Sequence, residues 1–182
     1  MTCLEERRTL DEALTLIPTY ENLQGPDRAF ARAMTSAALR QLGQINAGLA
    51  PFLNRDLETA TPPSRALLQI GAAQIWILNT PAHACVAETV EAAKKWARAR
   101  PAAGFINAVL RKAVSDRSAF DDAGPLSIWP GWLQKRFTDD FGQDQAEAIA
   151  VAQSLEPQLH ITVKTGQMDR VSNLFTDAQI DT

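Results

Sequence analysis

The chain has 182 residues, 46% hydrophobic and 21% charged. That composition excludes disordered and fibrous classes and suits a globular protein of one large domain, or one domain with part of a second. Eighteen Lys and Arg against 21 Asp and Glu give a formal net charge of −3, which taken whole argues against a nucleic-acid binder. The most apolar window, Ala66 to Leu78, contains Gln69 and Gln74 and falls short of the roughly 18 to 20 residues that cross a bilayer, so no membrane partner is expected. The N-terminus, MTCLEERRTL, places charges where a secretory leader has its apolar core, and a cytoplasmic protein is expected. Cys3 and Cys85 form no CxxC, and His83 and His160 are the only histidines; neither a metal site nor a cofactor held by this chain is expected.

Charge is unevenly spread along the chain. Residues 1–27 carry two basic and six acidic groups, residues 28–117 carry twelve and five, and residues 118–182 carry four and ten. A net charge of −3 therefore averages a basic centre at +7 with acidic ends at −4 and −6, a segregation that makes the centre a candidate for an anionic partner.

In chain order, Thr2 and Thr9 each precede a Glu by three residues, and Leu10, Ala13, Leu14 and Ile17 recur with helical spacing, which predicts one or two short helices ended by Pro18. Asp27 opens a longer pattern with Phe30, Met34, Ala37, Ala38 and Gln41 on one face and Arg28, Arg32 and Arg40 on the opposite arc. Ile45, Leu49, Phe52 and Leu53 continue the helical period to a loop with two prolines, where Ser64 is the expected N-cap of the next helix. Residues 66–78 are apolar at ten of thirteen positions and on all sides, the pattern of a central buried helix. After Pro81, one face carries Val86, Val90, Ala93 and Ala97, another Lys94, Lys95 and Arg98. Pro101 opens a helix expected to turn Phe105, Ile106, Val109, Leu110 and Ala113 inward, with Arg111 and Lys112 near its C-terminal end, where cations suit the helix dipole.

Beyond the turn-like DDAGPLS, Pro130 starts a helix that Gly142 stops, and Asp144 is expected to cap another that runs to Leu155. The period then changes. Leu159, Ile161 and Val163 alternate with His160, Thr162 and Lys164, which predicts one strand, followed by a short helix over MDRVSNLFTDAQID. A lone strand needs a partner, either in a second copy of the chain, making a homodimer, or in a sheet supplied by a longer protein.

No GxGxxG or Walker loop, GxSxG elbow or HExxH is present, so no catalytic residue is assigned. Glu88 and Glu91, at i and i+3, read as a capping or salt-bridging pair. The stretch RALLQIGAAQIWILNTPAHACVAETVEAAKKW followed by GFINAVLRKA, with RAFARAMTSAALRQLGQINAGL before it, resembles the all-helical NusB-type RNA-binding domain. More narrowly, the Pro81 to Ala84 step, ETVEAAK, the Asn107 to Arg111 run, WPGWLQKRFTDDFG and PQLHITVKTG resemble the N-terminal region of the RsmB (Sun/Fmu) family of ribosomal RNA cytosine-C5 methyltransferases. That resemblance spans roughly residues 10–175. It implies a mainly α fold: a NusB-like helical bundle over 1–117, then a small α/β segment over 118–182 holding linker helices and the first strand of a methyltransferase part. It further implies S-adenosylmethionine and two catalytic cysteines in a domain of roughly 200 further residues. The likeness of Thr2-Cys3 to the family's Thr-Cys motif is an accident of position at the extreme N-terminus, and Cys85 reads as a small buried side chain, so neither is assigned as a nucleophile.

Two functional readings remain open on the residues. In the first, Arg28, Arg32, Arg40, Lys94, Lys95, Arg98, Arg111 and Lys112 hold ribosomal RNA phosphates and position the RNA for a downstream catalytic domain; the bland counterpart is a solvated face turned toward acidic residues of the chain ends. In the second, the bundle is a protein-interaction module, docking its own catalytic domain or serving as a standalone antitermination factor. Asn107 and Arg111 are expected to satisfy loop carbonyls or Glu88, and Trp76 and Trp96 to pack in the core.

Overall fold

In the computed structural model the described residues are 6–157 and 162–177. Their helices are α1 (Leu10–Thr15), α2 (Pro18–Glu21), α3 (Gly25–Arg40), α4 (Leu42–Leu49), α5 (Pro62–Trp76), α6 (Ala82–Lys95), α7 (Ala103–Ser115), α8 (Ser118–Asp121), α9 (Gly131–Phe141), α10 (Gln143–Ser154) and α11 (Met168–Asp177), with short 3₁₀ turns between several of them. None is long and apolar enough to cross a membrane.

The sequence accounts for most of these boundaries. Thr9 caps α1 through a reciprocal pair: the Thr9 N–H donates to Glu12 Oε2 at 2.8 Å while the Glu12 N–H donates to Thr9 Oγ1 at 3.3 Å. The companion expectation at Thr2 lies outside the described residues. Pro18 begins α2 as well as ending the segment before it. Helix α5 starts one turn earlier than Ser64 suggests, because Pro62 fits the first helical position, where a missing N–H costs nothing. Ser64 is instead buried inside the helix, its Oγ 2.8 Å from Thr61 Oγ1. Gly142 separates α9 from α10 at φ 80°, so Asp144 lies in the first turn of α10 rather than capping it.

Helix α5 is the centre of the core, as its all-round apolarity predicts. Leu68, Ala72, Ala73 and Trp76 are buried and join Ile45, Leu49, Ile106, Val109, Leu110 and Ala113 in one cluster. The Trp76 indole N–H donates to the Ala113 carbonyl at 3.0 Å, and its ring stacks on Phe120 at 5.0 Å. Close approach depends on absent side chains: a Cβ at Gly71 would lie 2.7 Å from Leu110 Cδ1, and one at Gly48 would lie 2.9 Å from Phe120 Cα. At Gly43 a Cβ would fall on the Ser127 carbonyl oxygen, which is how α4 seats the turn Pro125–Ile128. The Trp129 indole then donates to Gln153 Oε1 at 2.9 Å and ties that turn to α10.

Three expectations are corrected. Phe30 and Phe105 are exposed, since the buried arcs of α3 and α7 centre on Ala37 and Ala38 and on Ile106, Val109, Leu110 and Ala113. Ala97 lies beyond the end of α6 and is exposed. The one-strand α/β segment is not seen among the described residues: Thr162 to Lys164 have no regular structure, and Leu159 to Ile161 lie outside the described residues. Alternation marks a segment with two unlike faces, but a ladder also needs a neighbouring backbone edge, and the described elements are helices that bond their amides internally.

Candidate nucleic-acid interface

The cationic side chains of the basic centre form two groups on different elements. Helix α3, which packs on α4 and α5, carries the first. Arg28 lies with its guanidinium carbon 4.6 Å from the centroid of the Tyr20 ring and donates to the Glu21 carbonyl at 3.4 Å. Arg32 is ion-paired to Asp11 and holds that carboxyl below its usual range, chiefly by the hydrogen bond between them and then by charge. Arg40 is half-buried and shares a groove with Arg32, Gln41, Ile77 and the segment Ser154 to Pro157. That segment is fastened there by Gln41, whose amide donates to the Ser154 carbonyl at 3.0 Å.

The second group belongs to α6, α7 and the turn between them. These helices run antiparallel, since Ala82 to Ala87 of α6 and Asn107 to Val114 of α7 line one groove. Lys94 pairs with Glu91 at 2.6 Å, and this bond is the main reason the Glu91 carboxyl titrates low. Arg100 donates from Nε to the Lys94 carbonyl at 2.8 Å, closing the turn back on the end of α6. Lys95, Arg98 and Arg100 are exposed, and none pairs with a carboxylate among the described residues. At the far end of the hairpin Arg111 donates to Asn107 Oδ1 at 3.3 Å, so these two residues bond each other rather than Glu88 or a loop carbonyl. Lys112 beside them is exposed.

Two features of this surface escape sequence reasoning. Arg100 is not among the cations that the sequence singles out. Trp96, expected in the core with Trp76, is 45% exposed where Trp76 is 2% exposed. It is the first residue past α6, with extended ψ of 107°, and the chain turns outward before its side chain can reach the bundle. Cys85 behaves as expected: it is buried, its thiol 3.3 Å from the Gly71 carbonyl, and burial pushes its pKa up. Among the described residues no cluster of His, Cys, Asp and Glu suits a metal ion.

Fold and surface together define a helical bundle whose central segment, residues 28–117, carries an excess of exposed cations. Residues 2–115 match the NusB family, and the chain belongs to that family. Over 127 residues it is 43% identical to a protein of Xanthomonas campestris pv. campestris named ribosomal RNA small subunit methyltransferase B, a match covering 69% of this chain and 28% of that protein. Proteins of the same name from Thermus thermophilus and Vibrio vulnificus are 38% identical over 133 residues and 29% identical over 178, covering 73% and 92% of this chain and 31% and 41% of theirs. The chain thus spans about a third of the length of the curated relatives it matches. No solved structure matches it.

Proposed function

We propose that this chain is the RNA-binding N-terminal region of a ribosomal RNA methyltransferase, and that the α6–α7 turn supplies its principal phosphate contacts. The observation that carries this reading is the set Lys95, Arg98 and Arg100, exposed within six residues and forming no ion pair among the described residues, with Glu91 bonded to Lys94 and only a minor charge influence from Lys95 upon it. Cations so placed are available to phosphates without first breaking an internal pair. Arg111 and Lys112 extend the surface along α7, while Arg28, Arg32 and Arg40 contribute less because the fold already engages or covers them. Residues 1–117 are read as the RNA-binding bundle and 118–182 as the start of the part that leads toward catalysis. The relatives' name implies S-adenosylmethionine for a whole protein of this kind. The described residues do not fit that group: no strand end or glycine-rich loop is available to cradle it, and no methyl-transfer step is assigned to them.

The test is a salt titration of the 182-residue chain with a fluorescently labelled ribosomal RNA fragment. Log affinity should fall linearly with log salt, and Arg98→Glu should reduce the slope by about 0.7 to 0.9. A flat salt dependence, or a slope that Arg98→Glu leaves unchanged, overturns the reading.

A further inference from the structure

The four tryptophans divide into two kinds. Trp76 and Trp129 are buried with their indole N–H groups bonded, to the Ala113 carbonyl and to Gln153. Trp96 and Trp132 are 45% and 72% exposed, and neither indole donates to a described residue. Their surroundings differ in charge. Lys135 and Arg136, three and four residues after Trp132 on α9, are neutralised by Asp139 and Asp140, each at 2.7 Å. Trp96 has Lys95 before it and Arg98 and Arg100 after it, and none of the three forms an ion pair among the described residues.

The backbone under Trp96 is also fixed. Its N–H donates to the Ala92 carbonyl at 3.1 Å, and its own carbonyl accepts from the N–H groups of Ala99 at 2.8 Å and Arg100 at 2.9 Å. Ala99 is fully buried just beyond it and pins the turn to the core. A large apolar ring is therefore held outward on a rigid turn, in water, where its exposure forgoes the burial free energy an indole would otherwise supply.

We propose that Trp96 is a stacking platform for an unpaired nucleobase, with Lys95, Arg98 and Arg100 holding the flanking phosphates, so that this surface selects single-stranded or loop RNA over duplex. An aromatic face among exposed cations matches both parts of a nucleotide, the π-face of the base and the charge of the backbone. In an A-form duplex the base faces are already stacked on one another and unavailable. The inference rests on the RNA-binding reading and adds the ligand's form to it.

The experiment measures binding of the full chain, by fluorescence anisotropy at about 50 mM salt, to a labelled 12-nucleotide oligocytidine RNA and a labelled 12-base-pair RNA duplex. Trp96→Ala should weaken single-strand binding about tenfold and duplex binding less than twofold. Trp96→Phe should keep most of the single-strand affinity, and Trp132→Ala all of it. The salt slope should be unchanged in Trp96→Ala, since no phosphate contact is removed, and its urea midpoint should stay at the wild-type value. Equal losses on both RNAs, or wild-type affinity in Trp96→Ala, overturn the stacking role while leaving RNA binding intact. Wild-type affinity combined with loss of self-association in sedimentation assigns Trp96 to a protein contact instead. Absence of binding to either RNA by the wild-type chain overturns the RNA-binding reading and this inference with it.

Discussion

The arginines of α3 and the cations of the α6–α7 turn are equally conspicuous in sequence, yet the fold treats them differently. Asp11, from the acidic N-terminal segment, meets Arg32, and Ser154 to Pro157, from the acidic C-terminal segment, wall the groove beside Arg40. Among the described residues of the two acidic ends, none forms an ion pair with Lys95, Arg98 or Arg100. Charge segregation along a chain thus has two outcomes: some basic residues are consumed in joining the acidic ends to the bundle, and the remainder form a surface. A count of +7 for the centre overstates what is available to a ligand.

That contrast can be broken first at the packing that brings the C-terminal segment onto α3. Gly43→Val places a side chain on the Ser127 and Ile128 carbonyls and should destabilise the protein by about 3 kcal/mol, read from urea denaturation. Because the α6–α7 hairpin is anchored on α5 rather than on α4, RNA affinity of the variant, measured where it is still folded, should remain within twofold of wild type. A collapse of affinity with helical content intact would mean that the 118–157 layer shapes the interface.

Charge reversal compares the two groups directly. Lys95→Glu with Arg98→Glu should weaken binding to a ribosomal RNA fragment by tenfold or more and reduce the salt slope by about 1.4 to 1.8, two phosphate contacts at 0.7 to 0.9 each. Arg28→Glu with Arg32→Glu should change affinity by less than threefold while lowering the thermal midpoint, since it places like charge beside Asp11 and removes the contacts of Arg28 with the Tyr20 ring and the Glu21 carbonyl. Equal effects of the two pairs on affinity would show one continuous interface and end the distinction drawn between them.

Much of the bundle was legible because its signals are local. The Thr9–Glu12 box, the apolarity of 66–78 and the stop at Gly142 act within a few residues, and the structure bears each out. The site was half legible. Composition located the basic residues, but the pairing of Arg32 with Asp11 joins positions 21 apart, and the cover over Arg40 comes from residues more than 110 positions later; no local pattern encodes either. Phe105 faces outward because an apolar residue one position off a buried arc keeps approximate periodicity, whereas Trp96 does so because α6 ends just before it and its backbone is extended. The strand is not seen among the described residues, because alternation is a property of one segment, whereas a sheet is a property of two.

Acid offers a milder test of the first group. Asp11 is held below its ordinary value of 3.8 by Arg32, so its contribution to stability is present above that value and is lost as pH falls through the lower, folded one. Glu12, held low by the Thr9 backbone and hydroxyl, behaves in the same sense. Asp11→Asn should therefore be less stable than wild type at pH 7, and the two urea midpoints should converge as pH drops below about 3.8. RNA affinity at pH 7 should be the same in both. A gap that persists at pH 2 would assign the effect of the substitution to packing rather than to the ion pair.

The smallest effect is expected on the inner face of the hairpin that carries the exposed cations. Cys85 lies on α6 against the Gly71 carbonyl of α5, facing the core while Lys94 and Lys95 face water. Its removal should loosen the anchor without touching the surface: Cys85→Ala should cost about 1 kcal/mol, the scale of a small buried cavity, and leave RNA affinity unchanged. Burial raises the thiol above its ordinary value near 9.0, against the weaker opposing bond to Thr89. The unfolded chain then ionises first, so stability is full below pH 9 and declines as pH rises toward the folded value. In a Cys3→Ser background the urea midpoint should fall between pH 8 and pH 10.5 by more when Cys85 is present than when it is Ala. If Cys85→Ala instead weakens RNA binding while the urea midpoint holds, the two faces of α6 are coupled, and the turn owes its geometry to the core beneath it as well as to the bonds that Ala92, Ala99 and Arg100 make at Trp96.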